Sequence, residues 1–117
     1  MPRPTEIRLR RAEKCLEIDF DDGAHFTLPA EYLRVESPSA EVQGHGPNER
    51  RIVAGRRHVG ILSVEPVGNY AIRIQFDDLH DTGIYSWEYL SALGREQAKR
   101  WQAYENALAQ RGLSRDP

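Results

Sequence analysis

The sequence predicts an α+β domain, in which a small antiparallel sheet of about five strands carries a short helix and a C-terminal helix packed on it. Three observations point there. Apolar and polar residues alternate over two separate blocks of the chain, short turn signals punctuate both blocks, and an apolar spacing of three to four residues takes over toward the C-terminus.

In the first block, Ile7 and Leu9 alternate with Glu6, Arg8 and Arg10, and Leu16, Ile18 and Phe20 alternate with Glu17 and Asp19, so each run reads as a half-buried strand. "RAEK" turns between them. "DDG" at Asp21 to Gly23 is a tight-turn signal leading into a third strand, "AHFTL", and Gly23 can take the positive φ such a turn needs. The opening is therefore a three-stranded meander. Pro29 suits the first turn of a short helix carrying Tyr32 and Leu33, which Pro38 stops.

Residues 36–58 are rich in Gly, Pro, Ser and charge, with Ile52 and Val53 as an apolar pair, and read as loop. Within them, 40–57 offer few apolar side chains to offset the entropy of ordering, so they are expected to be the most mobile internal segment. The second block holds the clearest hairpin: Ile61, Leu62 and Val64, a turn at "VGN", then Tyr70, Ile72, Ile74 and Phe76 on alternate positions. Ser86 can cap a helix bearing Trp87, Tyr89 and Leu90, with Gly94 separating it from a final helix over about 95–111. There Ala98, Trp101, Glu105 and Leu108 share a face, and the tail "GLSRDP" is expected to fray. Ile72, Ile74, Phe76, Leu90 and Trp101 are the expected common core.

The chain has 117 residues, which suits a single domain spanning 1–117. Its 16 basic and 18 acidic residues leave a formal charge of −2, so no global field draws it to nucleic acid or to an anionic membrane. Cys15 is the one cysteine, which rules out an internal disulfide and fits a reducing compartment. With no apolar run of signal-peptide or membrane-spanning character, the expectation is a cytoplasmic monomer.

Three stretches, "EYLRVESPSAEVQGHGP", "VEPVGNYAI" and "FDDLHDTGIYSWEYL", occur in this order and resemble the DUF971 family, the N-terminal domain of gamma-butyrobetaine-hydroxylase-like proteins. The ordered pair "GNYA" then "HDTGIYSWEYL" is the specific part, because no single physical requirement forces it. The resemblance implies a small mixed α+β domain that occurs alone in many bacteria, precedes the oxygenase domain in carnitine-pathway dioxygenases, and is fused to iron–sulfur carrier ATPases in some plants. It brings no settled activity. It also implies a structural zinc in the dioxygenase relatives, held by three cysteines after a "WLR"-like segment and one later histidine. Laid on this chain, those positions fall on Ser37, Ser39, Val42 and His80. Serine hydroxyls stay protonated near neutral pH and valine cannot ligate, so the zinc site reads as degenerate, with no metal and no cofactor expected.

Two readings of "FDDLHDTGIYSWEYL" stand side by side. In one, Asp77, Asp78 and Asp81 cap or solvate a strand-to-helix connection and His80 serves the loop. In the other, His80 and Asp81 line a shallow pocket with Tyr85 or Trp87 and take a ligand or a partner's surface. His45 and His58 can be added to His80 as a three-nitrogen metal set, against the commoner case of chance loop histidines. Arg50, Arg51, Arg56 and Arg57 concentrate positive charge that can meet a phosphate or an acidic partner, but no nucleotide-binding pattern accompanies them. His25 and Cys15 carry no functional signal. The functional expectation is a non-catalytic interaction or accessory module with a protein partner, with iron–sulfur assembly or an oxygenase system as the setting by family analogy. The alternative is a small-ligand or metal-binding domain using His80 and the 36–58 loop, and an enzyme is the weakest of the three.

Overall fold

The computed structural model describes residues 2–43 and 51–117. Strands β1 (Pro4–Arg10), β2 (Cys15–Phe20) and β3 (His25–Pro29) form an antiparallel meander. Gly23 makes its turn at φ +89. Helices α1 (Ala30–Val35) and α2 (Ala40–Gln43) follow, and then a second antiparallel sheet of β4 (Ile61–Val67), β5 (Ala71–Phe76) and β6 (Ile84–Ser86). Helices α3 (Trp87–Arg95) and α4 (Gln97–Arg111) close the chain. The α+β class holds, with the strands divided between two three-stranded sheets. The third strand of the second sheet, β6, lies inside the stretch read as a plain strand-to-helix connection. Three residues are too few to show a period.

One core joins both sheets. Leu16, Ile18, Phe20 and Leu28 from the first meet Ile61, Ile72, Ile74, Phe76 and Tyr85 from the second, with Tyr32 and Leu33 of α1 and Leu90 and Leu93 of α3 between them. The expected core residues Ile72, Ile74, Phe76 and Leu90 are in it, and Trp101 packs at its margin. Farther along α4, Tyr104 and Leu108 form a second cluster with Val35, against which Ile52, Val53 and Ala54 pack. Among the described residues, no helix is long and apolar enough to cross a membrane.

Two local readings are corrected. Ser86 does cap α3, accepting from the Tyr89 amide, but Gly94 lies inside that helix, and the break falls at Glu96. Gly94 is needed for closeness: a Cβ there would lie 2.3 Å from the Phe26 ring. The tail is docked on the 55–57 segment, where Gly55 and Arg57 donate backbone hydrogen bonds to the carbonyls of Ser114 and Arg115. Of the segment expected to be most mobile, residues 44–50 lie outside the described residues. In the rest, Arg51 N–H donates to the Val42 carbonyl, and the Tyr104 hydroxyl to that of Val53.

Candidate functional site

Phe76 ends β5, and the chain then turns sharply. The Phe76 amide donates to the His80 carbonyl at 2.9 Å, and Leu79 takes a left-handed conformation at φ 72 with its side chain 78% exposed. A non-glycine residue at such a φ is uncommon. It lets the turn send Leu79 out and His80 in.

His80 is 6% exposed. Its Nε2 lies 2.9 Å from the Ser37 hydroxyl and 3.4 Å from that of Ser39, and its Nδ1 lies 3.2 Å from a Glu41 carboxylate oxygen. A carboxylate has no proton to give, so a neutral His80 carries its proton on Nδ1, donates to Glu41, and accepts from Ser37 at Nε2. Burial pushes the His80 pKa down, the Arg34 charge adds to that, and Glu41 and Asp78 only partly oppose them. Gly83 belongs to the same packing, since a Cβ there would sit 2.5 Å from Ser37 Oγ. Val42 is 2% exposed beside this set.

Asp78 is the second node. Its Oδ2 accepts from Arg34 Nε at 2.8 Å and Arg56 Nε at 2.7 Å, and its Oδ1 from the His80 amide at 3.2 Å. Burial pushes its carboxyl pKa up, but these donors outweigh burial and hold it below the usual carboxylate range. Arg34 Nη1 is buried without an acceptor among the described residues. α1, the loop before α2, and the β5–β6 turn are thus sewn together by hydrogen-bonded charge.

The candidates separate around this hub. Tyr85 has no exposed surface and donates its hydroxyl to the Leu33 carbonyl at 2.5 Å. It is a core residue and cannot wall a shallow pocket. Burial also drives its pKa well above the ordinary tyrosine value. Trp87 is at the opposite end of the second sheet from His80, because Ser86 pairs with Ala71 while His80 follows Phe76. At about 3.3 Å per residue, the length of β5 puts roughly 20 Å between them. Trp87 Nε1 donates to the Asn69 carbonyl at 2.8 Å, and the ring lines a cleft of about 380 Å³ with Arg3, Asn69, Tyr70, Ser86 and Glu88. Asp81 is half-exposed and lies 3.9 Å from an Arg73 guanidinium nitrogen. Arg56 belongs to the hub, whereas Arg57 pairs with Asp116.

His58 is exposed, in a cleft of about 210 Å³ with Arg56, Asp77 and Asp78, and His45 lies outside the described residues. His25 is exposed on the first sheet and pairs with Asp19. Cys15 is buried, and burial raises its thiol pKa, consistent with an inert side chain.

Two chemistries can be tested against the hub. Ser37, His80 and Glu41 are connected in the order of a hydrolytic relay, yet Ser37 is 0% exposed, so no substrate atom can reach its hydroxyl. Zinc does not fit either. Ser37 and Ser39 offer neutral hydroxyls already hydrogen-bonded to the imidazole, and Val42 offers no donor atom. Among the described residues, no group of three His, Cys, Asp or Glu side chains is placed to hold a metal ion. Sequence reasoning missed Arg34 and Glu41 as members. Neither carries a local signal, since each looks like an ordinary charge on a short helix.

Comparison with known proteins gives a consistent picture. The family model described as "Gamma-butyrobetaine hydroxylase-like, N-terminal" matches residues 7–91. Two structures determined by NMR in solution align over 100% of this chain: one at 45% identity and TM-score 0.86 over 92% of its own length, the other at 46% and 0.85 over 87%. A crystal structure of a protein of unknown function from Acidithiobacillus ferrooxidans, described as belonging to the DUF971 family, is 41% identical at TM-score 0.67 over 79% of this chain and 92% of its own. No curated protein matches.

Proposed function

The chain belongs to the gamma-butyrobetaine hydroxylase-like N-terminal family, and from that premise we propose that it is a non-catalytic interaction module working beside a protein partner. The observation that carries this reading is the burial of the hub. Ser37 is 0% and His80 6% exposed, and their polar atoms engage one another, so the chemistry-bearing residues hold α1 and the β5–β6 turn in place. What remains to meet other molecules is surface: the Trp87 cleft, the arginines at 56 and 57, and the tail. The setting, iron–sulfur assembly or an oxygenase system in the cytoplasm, rests on family analogy alone.

One observation favours a second reading, a metal- or small-ligand-binding domain. Ser37 and Ser39, two of the positions where the resemblance places zinc ligands, do meet at His80. In the first reading this is a zinc site that has lost its thiolates and kept its geometry through hydrogen bonds.

Metal analysis and thermal melts of protein purified without a histidine tag separate the two. The expected result is protein without stoichiometric metal, whose melting temperature does not move on adding chelator. Stoichiometric zinc with a chelator-dependent fall in melting temperature would overturn the first reading and move His80 to the centre of the function.

A further inference from the structure

After α4 the chain reverses at Gly112, in the left-handed region at φ 64, and the Leu113 amide donates to the Leu108 carbonyl at 2.9 Å. The next residues run beside 55–57. Gly55 N–H donates to the Ser114 carbonyl at 2.9 Å, and Arg57 N–H to the Arg115 carbonyl at 3.0 Å. Arg115 forms a two-pronged pair with Glu31, at 2.8 and 2.7 Å, and its guanidinium stands 5.1 Å from the centre of the Trp101 ring. Asp116 pairs with Arg57. Pro117 lies so close to Gly55 that a Cβ there would be 3.4 Å from the Pro117 Cα.

These contacts combine main-chain hydrogen bonds, a planar two-pronged ion pair with cation–π stacking, and one further charge pair. Proteins recognise extended peptides with the same combination. The receiving side belongs to three elements: Glu31 of α1, Trp101 of α4, and the 55–57 segment. With Arg115 in place Glu31 is only 7% exposed, and a carboxylate covered in this way needs the cation that faces it. The occupant, by contrast, is a short, largely exposed tail behind a one-residue hinge, and its exposed Arg57–Asp116 pair contributes little to holding it closed.

We infer that residues 113–117 are a displaceable strap in a peptide-accepting groove, and that the groove takes an extended partner segment carrying an arginine followed by an acid. The inference rests on the reading of this chain as an interaction module and supplies the chemistry of its partner. A tethered segment competes at an effective concentration on the order of millimolar, so a partner binds only as the strap leaves, and its apparent affinity is lowered by the fraction of chain that is open.

The test uses the full chain, as wild type and as the double variant Arg115→Ala with Asp116→Asn, and adds in trans a synthetic peptide matching residues 111–117. In the wild type, the Gly55 and Arg57 amides should be protected from exchange and unmoved by the peptide. In the variant, their protection should fall by about tenfold or more, and the peptide should shift both amides and the Trp101 indole saturably, at least about tenfold more tightly than in wild type. A peptide with alanine for both the arginine and the acid of the pair should not bind. Should the double variant lose its fold, Arg115→Lys, which keeps a cation beside Glu31 but cannot make the two-pronged pair, is read in the same way. Unchanged protection in the opened variants, or no saturable shift there, overturns the strap, whatever the metal analysis says of the interaction module.

Discussion

The two ends of the Phe76–Leu90 stretch treat similar residues in opposite ways. At the His80 end, a histidine and two serines are drawn under the surface, where the imidazole meets the Ser37 hydroxyl and a carboxylate oxygen of the exposed Glu41, and the half-buried Asp78 pairs with Arg34. At the Trp87 end, an aromatic pair stays at the surface, with Tyr70 56% exposed beside the cleft. Both ends are anchored by hydrogen bonds, yet only the first is desolvated. A polar group removed from water must be satisfied or it costs about 1–3 kcal/mol, whereas an exposed ring makes no such demand. Polar density in the sequence therefore marks a structural network here.

The sharpest way to break this contrast is to truncate a tyrosine at each end. Tyr85→Ala should destabilise the domain by about 3–5 kcal/mol, as loss of a fully buried aromatic does, and should also strand the Leu33 carbonyl. Urea unfolding measures it, and a cost below about 1 kcal/mol would place Tyr85 outside the core.

An intermediate effect is expected from pH. His80 has a folded pKa below its ordinary value, so at acidic pH the unfolded chain binds more protons, and stability is lost as pH falls from about 6.5 through the depressed folded value. The groups facing it are Arg34, Asp78 and Glu41, with the Ser37 and Ser39 hydroxyls. Asp78, also depressed, withdraws its contribution only at lower pH, below the ordinary aspartate range. Melting temperature should therefore fall between pH 7 and 5 in the wild type and less steeply in His80→Gln. Equal slopes would mean that His80 is not the group being protonated.

The smallest effect belongs to Tyr70→Ala, at about 0.5 kcal/mol or less, because more than half of that side chain is already in water. A larger loss would show that the Trp87 cleft is as structural as the hub, and would remove it from the candidate surfaces.

Local pattern carried most of the fold. Alternation placed Ile18, Ile72, Ile74 and Phe76 in the core, the "DDG" turn and the Ser86 cap lie where their chemistry requires, and the ordered motifs pointed to the family. Each rests on neighbours within a few residues, which a sequence displays directly. The site was less legible. The zinc positions transferred by resemblance gathered Ser37, Ser39 and His80, but treating "HDTGIYSW" as one pocket failed. A strand of only three residues carries Trp87 to the far end of the sheet and buries Tyr85 on the way.

Tertiary structure alone decided the rest. Arg34 meeting Asp78 and Arg115 meeting Glu31 join residues separated by 44 and 84 positions. The need for glycine at 83 and 94 comes from Ser37 and Phe26, which are distant in sequence. No local propensity encodes such pairs. A charged side chain finds a buried partner, and a glycine its close contact, only once the chain has paid the entropy of bringing remote segments together.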